Sequence, residues 1–250
     1  MSSYPALART AGPGRLEPFF QPIARLQDGA VVGLEALARW RRADGGVSEA
    51  MVMPQTGAWS DEQAEIGRAT AAEAIDRFAR WRQKSAIAAS LAVNITGADL
   101  HDGAAARLVA QASLSGMPPG ALVLELTEHA SLGDLGRAAD ILAGLRSRGA
   151  RIALDDFGTG HSSLAWLARL PVDAIKIDRT FTAKVVGPGP ERTIISALMN
   201  LAREFELETI AEGVETEAQR SALAARGCTF GQGRLYSMPL SEPEAFPLLR

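Results

Sequence analysis

The stretch that decides the fold is 152–164, which reads IALDDFGTGHSSL. Its first three residues are apolar and suit a strand that is buried on both faces, as in a parallel sheet. Two adjacent aspartates, Asp155 and Asp156, end this strand, and a Gly-Thr-Gly turn follows at 158–160. Successive residues of a strand point to opposite faces. Both carboxylates therefore serve one site only if the backbone turns at this point.

Short apolar runs alternate with helical patterns along the rest of the chain. Such alternation predicts a parallel sheet covered by helices. Eight β-like runs suit an α/β fold of the TIM-like (β/α)8 barrel type, and a doubly wound open sheet is the alternative. The β-like runs are 19–23, 31–40, 89–95, 121–126, 151–155, 174–177, 209–211 and 228–230, and the helical patterns are 60–83, 103–115, 132–148, 162–169, 190–207 and 216–226.

The interior of the sequence contains no linker rich in Pro, Gly or Ser, so we expect one domain over residues 16–250. Residues 1–15 contain several prolines and glycines and are predicted to form a flexible arm or the end of a linker. Residues 43–59 show no clear periodicity and contain further glycines and a proline, which indicates a long loop. The capping box of Ser60 with Gln63 marks the start of the first helix.

The composition narrows the classes of function. Hydrophobic residues make up 47% and charged residues 22% of the 250 residues, as in a globular protein with a sizeable core. The net charge is −3 and no basic tract is present, which gives no support for binding to DNA. The single cysteine, Cys228, excludes an internal disulfide framework. No run has the length and apolarity of a membrane span, and the N-terminus lacks a signal peptide, so we expect a cytoplasmic domain.

Polar residues follow the β-like runs, at the end of the barrel where TIM-like enzymes place their chemistry. One acidic residue after a strand is more often a helix cap or a solvated loop residue. Five carboxylates at one barrel mouth, however, would repel each other strongly unless a cation lies between them. The polar residues at the predicted strand ends are Glu35, Asn94, Glu125, Asp155, Asp156, Lys176, Asp178, Glu212, Glu215 and Gln232.

The oxygen ligands in this set, without Cys or His, point to Mg²⁺ or Mn²⁺. The doubled aspartate suggests two cations, with Asp155 between them and Asp156 on the second alone. Two cations about 3.5–4 Å apart are the usual arrangement for in-line phosphoryl displacement. The sequence therefore predicts a site with two Mg²⁺ or Mn²⁺ ions.

The motifs resemble those of EAL-domain cyclic-di-GMP phosphodiesterases, and they follow the family order from residue 16 to residue 240. The resemblance implies a (β/α)8 barrel whose first strand runs antiparallel to the others. The matching motifs are FFQPI at 19–23, GLEALARW at 33–40, VNIT at 93–96, ELTE at 125–128, DDFGTG at 155–160, LPVDAIKID at 170–178, AEGVET at 211–216 and QG at 232–233.

The resemblance also assigns roles to positions of this sequence. It implies a first metal site of Glu35, Asn94, Glu125 and Asp155, and a second of Asp155, Asp156 and Glu212. The lysine near the attacking water corresponds to Lys176, and Glu212, Asp178 and Glu215 complete the implied catalytic group. The implied substrate contacts are Gln21, Glu35, Leu37, Arg39, Asn94, Asp178, Glu215 and Gln232, and the residues implied to support the DDFGTG loop are Glu128, Gly158 and Gly160.

The function implied by the resemblance is hydrolysis of cyclic di-GMP to linear 5′-pGpG in bacterial second-messenger signalling. A catalytically silent receptor for the same dinucleotide is the alternative, and a purely structural barrel conflicts with the carboxylate cluster. A homodimer formed through the DDFGTG loop and the next helix, with the apolar Leu164, Trp166 and Leu167, is expected, and so is fusion to or regulation by a sensor domain. The sequence departs from the family pattern at His161, at Arg234 and over 50–57.

Overall fold

The computed structural model describes residues 13–50, 60–84, 88–127, 132–158 and 163–249. Most of the predicted N-terminal arm and most of the 50–57 departure lie outside these ranges, as do Glu128, Gly160 and His161. Within the described ranges no helix has the length and hydropathy needed to cross a membrane.

Eight strands close into a barrel, which confirms the (β/α)8 prediction and excludes an open sheet. Strand β1 (Gly14–Arg25) pairs antiparallel with both of its neighbours, β2 (Val31–Arg42) and β9 (Phe230–Gln232), while the other barrel strands pair in parallel. The antiparallel first strand implied by the family resemblance is therefore confirmed. The strands are β1 Gly14–Arg25, β2 Val31–Arg42, β3 Val47–Glu49, β4 Ser90–Ile95, β5 Leu122–Thr127, β6 Ala150–Phe157, β7 Ala174–Ile177, β8 Glu208–Ala211 and β9 Phe230–Gln232.

The long ribbon of β1 and β2 corrects two predictions. Strand β1 begins at Gly14, which pairs with Arg42, so the strand takes in the last two residues of the predicted arm. Strand β3 lies within the predicted loop 43–59 and forms a hairpin with β2, so the prediction of a loop is wrong for this part. The hairpin turn is held by Asp44, whose carboxylate accepts a hydrogen bond from the Gly46 amide at 2.8 Å. A short polar edge strand shows no alternation of apolar and polar residues, because neither of its faces is covered by a core. Its sequence therefore does not indicate a strand.

Helices cover the outside of the barrel, and both predicted capping boxes are present, at Ser60 and at Thr216. Helices α2 (Gly97–His101), α6 (Arg179–Thr182) and α9 (Glu242–Ala245) were not predicted, since none of them is long enough to show a period of 3.6 residues. The helices are α1 Asp61–Lys84, α2 Gly97–His101, α3 Ala104–Leu114, α4 Leu135–Ser147, α5 Ser163–Leu167, α6 Arg179–Thr182, α7 Pro190–Glu204, α8 Glu217–Ala224 and α9 Glu242–Ala245, followed by a 3-10 turn at Phe246–Leu249.

The main hydrophobic core lies between the helices and the outer face of the barrel. In β5, the alternate residues Leu122, Leu124 and Leu126 belong to this core. Val123, between them, belongs to a separate cluster inside the barrel, and Glu125 shares its face of the strand. The same alternation that buries the leucines against helices therefore directs Glu125 into the barrel.

Candidate active site

The inward-facing side chains of the barrel form layers, because every second residue of a strand points to the interior. Each barrel strand contributes two inward-facing residues that are two positions apart. One of them is apolar or small, and the other is polar. The polar residue lies nearer to the end of the barrel where the parallel strands finish. The pairs are Ile23 and Gln21 on β1, Gly33 and Glu35, Ala92 and Asn94, Val123 and Glu125, Ala153 and Asp155, Ala174 and Lys176, Ile210 and Glu212, and Phe230 and Gln232. All eight barrel strands thus bring a predicted site residue to one end.

The buried ammonium of Lys176 lies at the centre of these residues. Four carboxylates surround it, and the side chain has no exposed surface. Burial disfavours its charge, but the surrounding carboxylates more than compensate and raise the pKa of Lys176 well above its usual value. The ammonium is therefore kept protonated. Its Nζ lies 2.8 Å from Glu212 Oε1, 3.1 Å from Asp155 Oδ1, 3.2 Å from Glu125 Oε2 and 3.3 Å from Glu35 Oε2.

Glu35 is held in its ionised form by a network of donors. The Gln232 amide donates to its Oε2 at 2.7 Å, and the Asn94 amide donates to its Oε1 at 3.0 Å. Burial opposes ionisation, but the charge of Lys176 and these hydrogen bonds together lower the pKa of Glu35. Both amides thus fix the orientation of this carboxylate.

The pKa values of Glu125 and Glu212 are shifted in the opposite direction, upward. Burial, reinforced by neighbouring carboxylates such as Asp155, raises the pKa of Glu125 well above its usual value and that of Glu212 to about 8, although Lys176 acts against both shifts. Two buried acceptor oxygens, Oε1 of Glu125 and Oε1 of Gln232, have no hydrogen-bond partner among the described residues. One ammonium therefore does not satisfy this group of carboxylates.

The backbone turn at Asp156 brings the two adjacent aspartates to one site. Asp156 has a φ of 54°, in the left-handed region that a residue with a side chain adopts at a cost of about 1–3 kcal/mol. The pairing of β6 with β7 also shifts register over residues 154–157, and Asp155 Oδ1 accepts a hydrogen bond from the Asp156 amide at 3.0 Å. Oxygens of Asp155, Asp156 and Glu212 consequently lie within 4.8 Å of one another.

Gly158 is required by the turn that follows. Its φ is 98°, and a Cβ at this position would lie 3.1 Å from the Phe181 ring. The glycine therefore allows both the positive φ of the turn and the close approach of the Phe181 ring. The other two predicted loop-supporting residues, Glu128 and Gly160, lie outside the described residues.

This donor set fits a divalent cation. Carboxylate oxygens are hard ligands of the kind that Mg²⁺, Mn²⁺ and Ca²⁺ prefer. The three-carboxylate group at Asp155, Asp156 and Glu212 has the spacing of a cation site, and the partnerless oxygen of Glu125 is a further acceptor in the same cluster. The described residues thus contain an acidic site able to hold a divalent cation.

Two predicted site residues have local partners instead of contacts with Lys176. Asp178 caps α6, where its Oδ1 accepts a hydrogen bond from the Thr180 amide at 2.9 Å. Glu215 pairs with Arg234, one of the residues that depart from the family pattern, at 2.8 Å. Neither pairing was predicted, because both depend on the conformation of the loops after β7 and β9.

The remaining predicted substrate contacts lie beside the cluster. Gln21 accepts a hydrogen bond from the Gln232 amide at 3.0 Å. Leu37 and Arg39 continue the inward face of β2 beyond Glu35. Burial lowers the pKa of Arg39, and Glu49 on β3 lies 3.8 Å from its guanidinium. Glu49 was missed because its segment was predicted to be a loop.

The profile of the EAL domain family matches residues 6–239. The chain belongs to the EAL domain family. The cluster around Lys176 is therefore the polar layer of an EAL barrel, built from the motifs that suggested the family.

Curated relatives resemble this EAL domain over part of their length. An uncharacterized signaling protein from Caulobacter vibrioides is 36% identical over 221 residues, which are 88% of this chain and 27% of that protein. Cyclic di-GMP phosphodiesterase NbdA from Pseudomonas aeruginosa is 34% identical over 239 residues, which are 90% of this chain and 29% of that protein. The chain thus spans less than a third of the length of these two relatives.

Solved structures of EAL proteins resemble it as well. The phosphodiesterase MucR in complex with c-di-GMP has a TM-score of 0.82 and 32% identity, with 96% of each chain covered. Klebsiella pneumoniae BlrP1 in a manganese and c-di-GMP complex has a TM-score of 0.77 and 25% identity, over 92% of this chain and 57% of that one. The barrel described above is the fold of this family.

Proposed function

We propose that this EAL domain is a metal-dependent phosphodiesterase that hydrolyses cyclic di-GMP to linear 5′-pGpG. The observation that supports it most is the polar layer around Lys176, in which the ammonium is surrounded by four of the carboxylates that the family resemblance implies as metal ligands. NbdA is named as an enzyme of this activity, and MucR was solved with c-di-GMP.

The ligands of two Mg²⁺ or Mn²⁺ ions are proposed as the family resemblance implies them. Glu35, Asn94, Glu125 and Asp155 would hold the first ion, and Asp155, Asp156 and Glu212 the second. Such ions supply Lewis acidity, which lowers the pKa of water and offsets charge on the phosphoryl group. The shared residue, Asp155, lies at the strand end beside the turn, where it can serve both sets.

We propose that Lys176 is a hydrogen-bond donor and a fixed positive charge rather than a general base. Four carboxylates face Nζ, and their charge raises the pKa of Lys176 above its usual value, which favours the charged donor. Charge that develops on the phosphoryl and leaving oxygens would then be offset by a preorganised ammonium in a dry site. The backbone of β7 and the four carboxylates hold this ammonium in place before substrate binds.

Substrate binding is assigned to the residues on the open side of the layer. Arg39 is suited to a phosphate, because its planar guanidinium forms paired hydrogen bonds with phosphate oxygens. Gln21, Leu37, Asp178 and Glu215 are proposed to position the nucleotide, together with the amides of Asn94 and Gln232.

The proposed homodimer rests on a smaller surface than the sequence suggested. Leu164 on α5 is 66% exposed, but Trp166 and Leu167 are buried in the main core. Leu164 is thus the residue of this trio that can contact a partner chain. The expected cytoplasmic location and the fusion to a sensor domain stay predictions.

The decisive experiment is hydrolysis of cyclic di-GMP by the purified chain with Mn²⁺, followed by chromatography of the products. Linear pGpG that forms with Mn²⁺ and not with EDTA supports the proposal. The matched control is Asp155→Asn, which should be inactive. Binding of cyclic di-GMP without turnover would contradict the proposal and identify a silent receptor.

A further inference from the structure

A cavity lies at the end of the barrel opposite the polar layer, where the parallel strands begin. Its volume is about 540 Å³. This is within the range of about 300–1,000 Å³ that is typical of small-molecule sites. The cavity extends from the first residues of the strands up to Glu125, so it lies directly beneath the polar layer.

The cavity exists because the apolar layer under the site contains small side chains. In a TIM-like barrel, bulky branched residues usually fill such layers. Here four of the eight strands contribute Gly or Ala to the layer, namely Gly33, Ala92, Ala153 and Ala174. Ala92 and Ala174 line the cavity itself, beside the larger Ile23, Val123 and Ile210. The result is an apolar wall with unfilled space in front of it.

The inner end of the cavity is polar. Glu125, which has no exposed surface, forms part of the lining there. Only its Oε2 has a partner among the described residues, since Oε1 accepts no hydrogen bond. The space therefore runs from an apolar wall to a buried acceptor that lacks a donor.

Among the described residues at the open end, the guanidinium of Arg82 has no acidic partner. Three charged pairs lie near this rim: Arg151 with Glu208 at 2.6 Å, Asp173 with Arg146 at 2.6 Å, and Arg25 with Asp28 at 2.7 Å. Arg82 instead donates only to the Ala89 carbonyl oxygen, at 2.9 Å, and no carboxylate among the described residues pairs with it. A ligand's acidic group would complete this rim.

We propose that this cavity binds a small organic anion with an apolar body. Its carboxylate or sulfonate group pairs with Arg82, and its apolar body lies against the layer of Ile23, Val123 and Ile210. Charge complementarity selects the anion, and the apolar wall selects a body larger than an inorganic ion. This site opens at the opposite end of the barrel from the proposed catalytic site, and Glu125 lies between the two.

The test uses the full chain and the fluorescent probe 8-anilinonaphthalene-1-sulfonate, which has both an apolar body and a sulfonate. One saturable site per chain is expected. Arg82→Gln should weaken this binding about tenfold or more, because a hydrogen bond to a charged group is lost. Arg80→Gln is the matched control, since Arg80 lies on the exposed face of the same helix and does not line the cavity. It should leave binding unchanged.

A second pair of measurements separates the apolar body from the charge. N-phenyl-1-naphthylamine lacks the sulfonate, so its binding should be insensitive to Arg82→Gln. Ala174→Leu fills the cavity and should abolish binding of both probes, with circular dichroism as the check on folding. If that variant does not fold, Ala92→Val replaces it. Absence of a saturable site in the parent chain, or equal effects of Arg82→Gln and Arg80→Gln, would overturn the proposal.

Discussion

The two ends of this barrel are built from the same strands and yet have opposite chemistry. At the carboxyl ends of the strands, five carboxylates and one ammonium form a polar layer that is largely buried. Two residues closer to the opposite end of the barrel, a layer of small and apolar side chains leaves a cavity. The strand pairing fixes where side chains point, and residue identity alone decides what each layer does. Both layers reduce stability, one through repulsion between carboxylates and the other through missing packing.

The largest expected effect concerns the doubled aspartate. Asp155→Asn should lower turnover by more than about 10³-fold, beyond the loss typical of one electrostatic contact. Asp156→Asn should lower it less, because Asp155 is proposed to serve both cations and Asp156 only one. The measurement is the rate of cyclic di-GMP hydrolysis at saturating Mn²⁺, with circular dichroism as the check on folding. Equal losses in the two variants would contradict the assignment of Asp155 as the shared ligand.

The next effect tests the ammonium at the centre of the charged layer. Lys176→Ala should slow hydrolysis by roughly a hundredfold or more, because a preorganised charge is lost. Binding of cyclic di-GMP should persist when Ca²⁺ replaces the active metal, as expected for an interaction made mainly in the transition state. Rates and calorimetric binding are compared with Lys184→Ala, whose lysine forms an exposed pair with Glu191. Loss of binding together with metal affinity would make Lys176 structural.

The pH dependence of stability distinguishes the two layers without any assay of turnover. In the metal-free protein the pKa of Glu212 is raised to about 8 by burial and by nearby carboxylates. The folded state then binds more protons than the unfolded chain between the ordinary carboxyl pKa and 8, so stability must fall as pH rises through this window. The slope contributed by one such group is at most about 1.4 kcal/mol per pH unit.

Urea unfolding between pH 5 and pH 8 in EDTA measures this slope. Glu212→Gln should flatten it, and saturating Ca²⁺ should do the same, since a bound cation removes the reason for the raised pKa. The apolar layer that contains Ala92 has no titratable side chain, so Ala92→Val should leave the slope unchanged. A slope that is identical in the parent chain and in Glu212→Gln would show that the charged layer is not its source.

Sequence reasoning was successful where a feature depends on the period of a strand. Period-two alternation and the strand order predicted that Glu125 and Lys176 would meet at one end, and the doubled aspartate predicted the turn at Asp156. Strand β3 was missed, because a polar edge hairpin is held by backbone bonds that have no sequence period. The sequence also did not predict that Leu164 alone of the trio Leu164, Trp166 and Leu167 faces outward, since a five-residue helix does not define which of its faces is covered.

The cavity could not be predicted for a different reason. Its size depends on the summed volume of side chains from eight strands, and these become neighbours only after the strands are paired in register. Ala92 and Ala153 are unremarkable in the sequence. Only the closed barrel places them in one layer, between the rim at Arg151 and the carboxylate of Glu125.

The smallest expected effect tests that layer. Ala92→Val adds two methyl groups in front of the unfilled space, on a strand that favours β-branched residues. Because each added carbon is buried without displacing a neighbour, the free energy of unfolding should rise by about 1 kcal/mol.

Ala36→Val is the matched control, since Ala36 is a buried strand residue in the main core, where helices already fill the space. Overpacking there should lower stability by about 1–3 kcal/mol. The free energy of unfolding of both variants is measured by urea unfolding at pH 6 in EDTA. Destabilisation of similar size in both would mean that the apolar layer around Ala92 is as well packed as the rest of the core.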